Sequence, residues 1–126
     1  MIRAELTYPP SVNRAWRMVR VGRSCRMLLS REGRIYRKET CARLAALRTP
    51  RLNGRLRVVV TLHPPDRRRR DVDNPIKALL DALQHAGVYH DDAQIDHLEV
   101  QRGEVECGGR AVVEIEEIVT QIRSSR

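Results

Sequence analysis

Between Arg55 and Gly87 the apolar period of the chain switches from two to 3.6 residues, and four consecutive arginines sit at the switch. Leu56, Val58, Val60 and Leu62 alternate along residues 55–63, with β-branched Val59 and Thr61 on the other face. That pattern predicts a strand, stopped by Pro64-Pro65. Ile76, Leu79, Leu80 and Leu83 then recur at helical spacing. Asn74 reads as the N-cap of this helix, Pro75 as its first residue and Gly87 as its stop. A strand, a charged loop and an amphipathic helix in that order constrain the fold to helices packed on a sheet.

The flanking sequence extends the scheme. Ile2, Ala4 and Leu6 alternate with polar neighbours before Pro9-Pro10, predicting a half-buried strand. Residues 16–21 and 24–29 read as a hairpin around Gly22. Ser30 is placed to cap a helix running to about Arg48, with Tyr36, Leu44 and Leu47 along one stripe and Pro50 and Gly54 beyond its end. A strand is expected from about Ile95 with Leu98 and Val100 inward. Gly108-Gly109 would turn the chain into a last strand through Val113 and Ile115. The expectation is one α+β domain over residues 1–126, a mixed sheet with two main helices packed on it.

Charge is unevenly divided. The net charge is +8, and the cations are 22 Arg and 2 Lys. Residues 1–70 hold 19 basic and 4 acidic side chains, net +15, whereas residues 71–126 hold 5 basic and 12 acidic, net −7. Arginine offers a planar fork of donors that matches phosphate oxygens. A basic half meeting an acidic half suggests a grip on a polyanion beside a cation site. The three cysteines, Cys25, Cys41 and Cys107, lack metal-ligand spacing and read as buried small side chains in a reducing compartment. No apolar run approaches the ~20 residues of a membrane span, and no leader pattern is visible, so a soluble cytoplasmic protein is expected.

Chemistry concentrates between Asp66 and Asp92. Asp71 and Asp73 are two apart before a helix, and in extended backbone their carboxylates point the same way. The Asp91-Asp92 pair after Gly87 supplies a third acid if the following strand lies beside the 55–63 strand. Two carboxylates ~4 Å apart repel by roughly 4 kcal/mol at an effective dielectric of ~20, so converging acids call for a cation. All these donors are oxygens, which favours Mg²⁺, with Mn²⁺ a substitute. Lys77 sits close enough in sequence to stabilise charge developing on phosphorus or to position water. Arg67, Arg68, Arg69 and Arg70 would hold the phosphate backbone.

Simpler readings exist for each piece. Asp-x-Asp is common in surface loops, Asp71 could pair with the adjacent arginines, and Lys77 and Asp81 could form an i, i+4 pair. His63, His85, His90 and His97 lack ligand spacing and read as structural or exposed, and Trp16 and Tyr89 as packing residues. Co-occurrence in one window favours the catalytic reading. A non-catalytic Arg-rich nucleic-acid-binding module and a metal-dependent nucleotide phosphohydrolase stand as alternatives.

The stretch HPPDRRRRDVDNPIKALLDALQHAGVYHDDAQI resembles the signature of the RusA-type Holliday junction resolvases, small endonucleases often carried by phages and prophages. PPSVNR and SREGRIYRKE are also similar to that family, and the likeness spans about residues 5–118. The resemblance implies a Mg²⁺-dependent endodeoxyribonuclease that cuts four-way DNA junctions by paired symmetric nicks, in recombination and repair. It implies Asp71, Asp73 and Asp92 as metal acids, Lys77 as the assisting cation, Arg67 to Arg70 at the DNA and a supporting place for Asp91. It also implies a homodimer, whose two-fold axis suits symmetric nicking. The absence of Phe departs from any aromatic junction wedge.

Overall fold

A computed structural model describes residues 1–119 of the chain. Strand β1 (Ile2–Leu6) leads to a one-turn helix α1 (Val12–Ala15) and a hairpin of β2 (Trp16–Val21) and β3 (Ser24–Leu29). Helix α2 (Arg31–Leu47), strand β4 (Leu56–His63), helix α3 (Ile76–His85), strand β5 (Ile95–Arg102) and strand β6 (Arg110–Glu117) follow. This is the α+β arrangement read from the sequence, with α1 additional. The expected domain over 1–126 reaches past the described residues.

The main sheet has the order β1-β6-β4-β5. β6 pairs antiparallel with both β1 and β4, whereas β5 runs parallel to β4. A parallel neighbour demands a crossover, and α3 provides it. Leu56, Val58, Val60 and Leu62 of β4 are all at most 1% exposed. They meet Ile2, Ala4 and Leu6 from β1, Val113 and Ile115 from β6, Leu44 from α2, and Ile76, Leu79 and Leu83 from α3. With no Phe, this aliphatic cluster and Tyr89 form the interior.

Four expectations need correction. Helix α3 begins at Ile76, with Pro75 in the cap position at φ −84°, so Asn74 is not its N-cap. Leu47 is 53% exposed and leaves the α2 stripe, which buries Gly33, Tyr36, Thr40 and Leu44 instead. Leu98 is 44% exposed, because β5 is the sheet's edge and the helices do not cover it fully. Cys25 and Cys107 are exposed and Cys41 is half-buried; all three are free thiols. The Ser30 cap does form, its hydroxyl accepting from the Gly33 amide at 3.1 Å. The helix it starts ends on Arg48 in the left-handed region, before Pro50.

Separating Leu44 from Leu47 makes the α2 packing testable. Leu44→Ala should cost about 2–5 kcal/mol, as for other fully buried leucines. Leu47→Ala should stay within about 0.5 kcal/mol. Chemical denaturation midpoints at a common slope check both values.

Candidate active site

Beyond β4 the loop is organised by Asp66. Its Oδ1 accepts from the Arg68 amide at 2.9 Å and from Arg70 Nη1 at 2.6 Å. Arg68 Nε stands 3.8 Å from its Oδ2. The Arg70 guanidinium first, and the Arg68 amide second, hold the Asp66 carboxyl down at about 2. Arg102 at the end of β5 donates to the Arg70 carbonyl, fixing the loop to the sheet edge. Arg70 is half-buried by these contacts, while Arg67, Arg68 and Arg69 are exposed. Asp66 is a site residue that lies outside the expected set. Its signal was present: an Asp two residues before a turn amide and four before an arginine.

This arrangement changes the state of the next acids. Asp71 and Asp73 are exposed on either side of half-buried Val72. Among the described residues, neither carboxylate takes part in an ion pair or a side-chain hydrogen bond. The arginines' carboxylate partner is Asp66, so Asp71 is not neutralised by its sequence neighbours. The Asp73 carbonyl accepts from the Ile76 amide at 3.1 Å, which turns the chain into α3. The Asn74 side chain reaches back to the Val12 amide at 3.4 Å, tying α1 to this loop. Lys77 does not pair with Asp81, which binds Arg37 at 2.8 Å. The Lys77 ammonium lies over the Trp16 ring, 5.3 Å from its centre, a cation–π contact.

Asp91 and Asp92 have different surroundings. Asp91 caps a 3₁₀ turn, accepting from the Ala93 amide at 2.8 Å, with Gln94 completing the capping box. The Asp92 Oδ1 accepts from the Tyr89 hydroxyl at 2.8 Å, and that hydroxyl is also 2.8 Å from the Leu80 carbonyl. One proton cannot serve both acceptors at once, so the hydroxyl is shared between them. Partial burial raises the Asp92 pKa; the Tyr89 hydrogen bond works against this, and the charges of Asp81 and Asp91 add to the rise.

β5 does lie beside β4, as the sequence argument required, but parallel to it. Ile95 therefore pairs with Leu56 at the start of β4, whereas the arginine loop leaves its far end. Asp92 stands against Leu80 and Gln84 on α3, with Asp73 just before the helix. Among the described residues no three acidic, histidine or cysteine side chains gather where one ion could bind them. Asp71, Asp73 and Asp92 do not form such a set.

The family model for endodeoxyribonuclease RusA matches residues 7–116. The crossover junction endodeoxyribonuclease of Enterobacteria phage HK97 is 41% identical over 114 residues, covering 90% of this chain and 92% of the relative. The protein of the same name from Escherichia coli K12 is 41% identical over 115 residues, and that of Enterobacteria phage 82 is 40% identical over 115, each with the same coverage. The chain belongs to the RusA family.

In this RusA-family chain the arginine loop forms one wall of an open groove of about 820 Å³. Tyr8, Arg14, Arg68, Arg69, Arg70 and Asp71 line it. An extended anion entering there would meet guanidinium groups and an unpaired carboxylate together. The donors of Asp71 and Asp73 are hard oxygens with no cation paired to them among the described residues, which fits Mg²⁺ or Mn²⁺ and not a thiolate-preferring metal.

The raised Asp92 pKa carries a sign for stability. Folding favours the protonated form, so the penalty is absent below the unfolded pKa and grows as pH rises through the folded one. Asp92→Asn should therefore raise the thermal midpoint at neutral pH, and the gain should shrink toward zero in acid. Thermal scans of both proteins from pH 3 to 7, run without divalent ions, check this.

Proposed function

We propose that the protein is a Mg²⁺-dependent endodeoxyribonuclease that resolves four-way DNA junctions by paired symmetric nicks, acting as a cytoplasmic homodimer in recombination and repair. The observation that carries the reading is the pair of unpaired carboxylates, Asp71 and Asp73, beside an arginine loop whose carboxylate partner is Asp66. Relatives at 40–41% identity are named crossover junction endodeoxyribonucleases, which supports the same substrate.

Arg67, Arg68 and Arg69 are exposed and available for phosphate oxygens, and Arg70 holds the loop's shape through Asp66. Asp71, Asp73 and Asp92 would hold the ion. Held by these carboxylates, a divalent ion would supply Lewis-acid polarisation of a phosphate oxygen and a more acidic water. Lys77 is parked on Trp16 near the start of α3, where its ammonium can offset charge gathering on the attacked phosphate. Asp91 is committed to its 3₁₀ cap and acts by positioning Asp92.

A two-fold arrangement gives two such sites, one for each nick. Junction preference then rests on phosphate positions and DNA shape instead of base edges.

Asp73→Asn removes a charge while keeping volume. It should bind a synthetic four-way junction as the unmodified protein does and make no nicks with Mg²⁺, read on a strand-resolved gel. Nicking at the unmodified rate would refute the metal-acid assignment. Release of phosphate from free nucleotides, with the junction left intact, would favour a phosphohydrolase.

A further inference from the structure

The β2–β3 ribbon forms a two-stranded sheet of its own and does not pair with the main sheet. It is held at its base. Ala15 is fully buried, and the Ser30 amide donates to the Ala15 carbonyl at 2.8 Å. Gly33 keeps α2 close against that point, because a Cβ there would collide with the Ala15 carbonyl and the Leu29 side chain. Past this base the ribbon has six residues per strand, roughly 20 Å at ~3.3 Å each. All but its first pair and Val19 are exposed or close to it.

Its composition is one-sided. Arg17, Arg20, Arg23 and Arg26 lie within fourteen residues, and no acid occurs between Glu5 and Glu32. Among the described residues none of these four arginines makes an ion pair or a side-chain hydrogen bond. Met18 and Met27 face each other across the strands, 63% and 54% exposed, with Arg20 and Cys25 as the next pair on that face. Exposed methionines set among uncompensated arginines suit a partner that is anionic outside and apolar within.

The ribbon is also attached to the catalytic loop. Trp16, its first residue, lies beneath Lys77, and α1 just before it bonds to Asn74. Arg14, at the same junction, lines the groove shared with Arg68 to Arg70.

We infer that the β2–β3 ribbon is a second DNA-binding arm, which holds phosphates of the junction through Arg17, Arg20, Arg23 and Arg26 while the Lys77–Trp16 contact registers it on the cutting site. A two-stranded ribbon is narrow enough to follow a DNA groove. Charge selects the occupant: a surface with four free guanidinium groups and no acid is complementary to phosphate. This inference rests on the junction-nuclease reading.

The test measures junction affinity against salt, without divalent ions, for the unmodified protein and for the R17Q/R20Q/R23Q/R26Q variant. The variant's log–log slope should fall by about 0.9 for each lost duplex contact, with at least about a tenfold weaker affinity near 0.1 M salt. Its sedimentation mass should be unchanged. In the unmodified protein, saturating junction DNA should slow alkylation of Cys25, resolved by peptide mass mapping. An unchanged slope, an unchanged Cys25 rate or a changed oligomeric mass would each overturn the inference; the last would make the ribbon a contact between copies. If the unmodified protein binds no junction, the functional reading itself fails, which is a different result from equal slopes.

Discussion

The parallel pairing of β4 with β5 governs this protein. A parallel neighbour obliges the chain to cross from the end of β4 back to its start, and α3 makes that crossing. Everything between Pro64 and Asn74 is thereby placed at one end of the central strand, and Asp91 and Asp92 at the other. The arginines and the first two acids are local partners; the third acid is not. Burial enforces the arrangement, since β4 is sealed on its inner face by four side chains that are at most 1% exposed, and α3 contributes Leu79 and Leu83 at 0%. At about 1.5–3 kcal/mol for each fully buried aliphatic side chain, lifting Leu79 and Leu83 of α3 off β4 would forfeit a large share of the usual margin of stability.

Within the loop, electrostatics divides the charges by task. Asp66 satisfies the Arg68 amide and the Arg70 guanidinium, and its carboxyl is held at about 2, so it stays ionised at neutral pH. Asp71 and Asp73 then face solvent, and among the described residues no cation pairs with them. At the other end, Asp92 shares the Tyr89 hydroxyl with the Leu80 carbonyl and sits near two more acids. The chain tolerates an acid whose charge its own surroundings disfavour. The proposed role of Asp92 as a metal ligand suits that condition, since its counterion would come from outside.

Much of the fold is legible in residue order, because alternation in β1 and β4 and the stripe of α3 follow directly from one buried face each. The β2–β3 hairpin can be read from Gly22, which adopts φ +61° in the turn. The errors have local physical causes. Asn74 has the composition of a cap, yet the Asp73 carbonyl makes the turn and Asn74 bonds Val12, sixty-two residues away in sequence. Leu98 has the period of an inward residue, but period cannot tell an edge strand from a central one. The short α1 offers too few residues for any period. At the site, Asp71, Asp73 and the arginines are adjacent in sequence and recognisable as a unit. The parallel direction of β5, which sets the position of Asp92, and the pairing of Lys77 with Trp16 are tertiary facts that spacing does not encode.

The central claim is that Asp71, Asp73 and Asp92 hold one divalent ion beside the arginine loop. Calorimetric titration of Mn²⁺ into the junction-bound protein, unmodified and as the Asp71→Asn, Asp73→Asn and Asp92→Asn variants, tests this directly. Each variant should bind the ion more weakly than the unmodified protein while still binding the junction. Equal ion affinity in all four proteins would contradict the account.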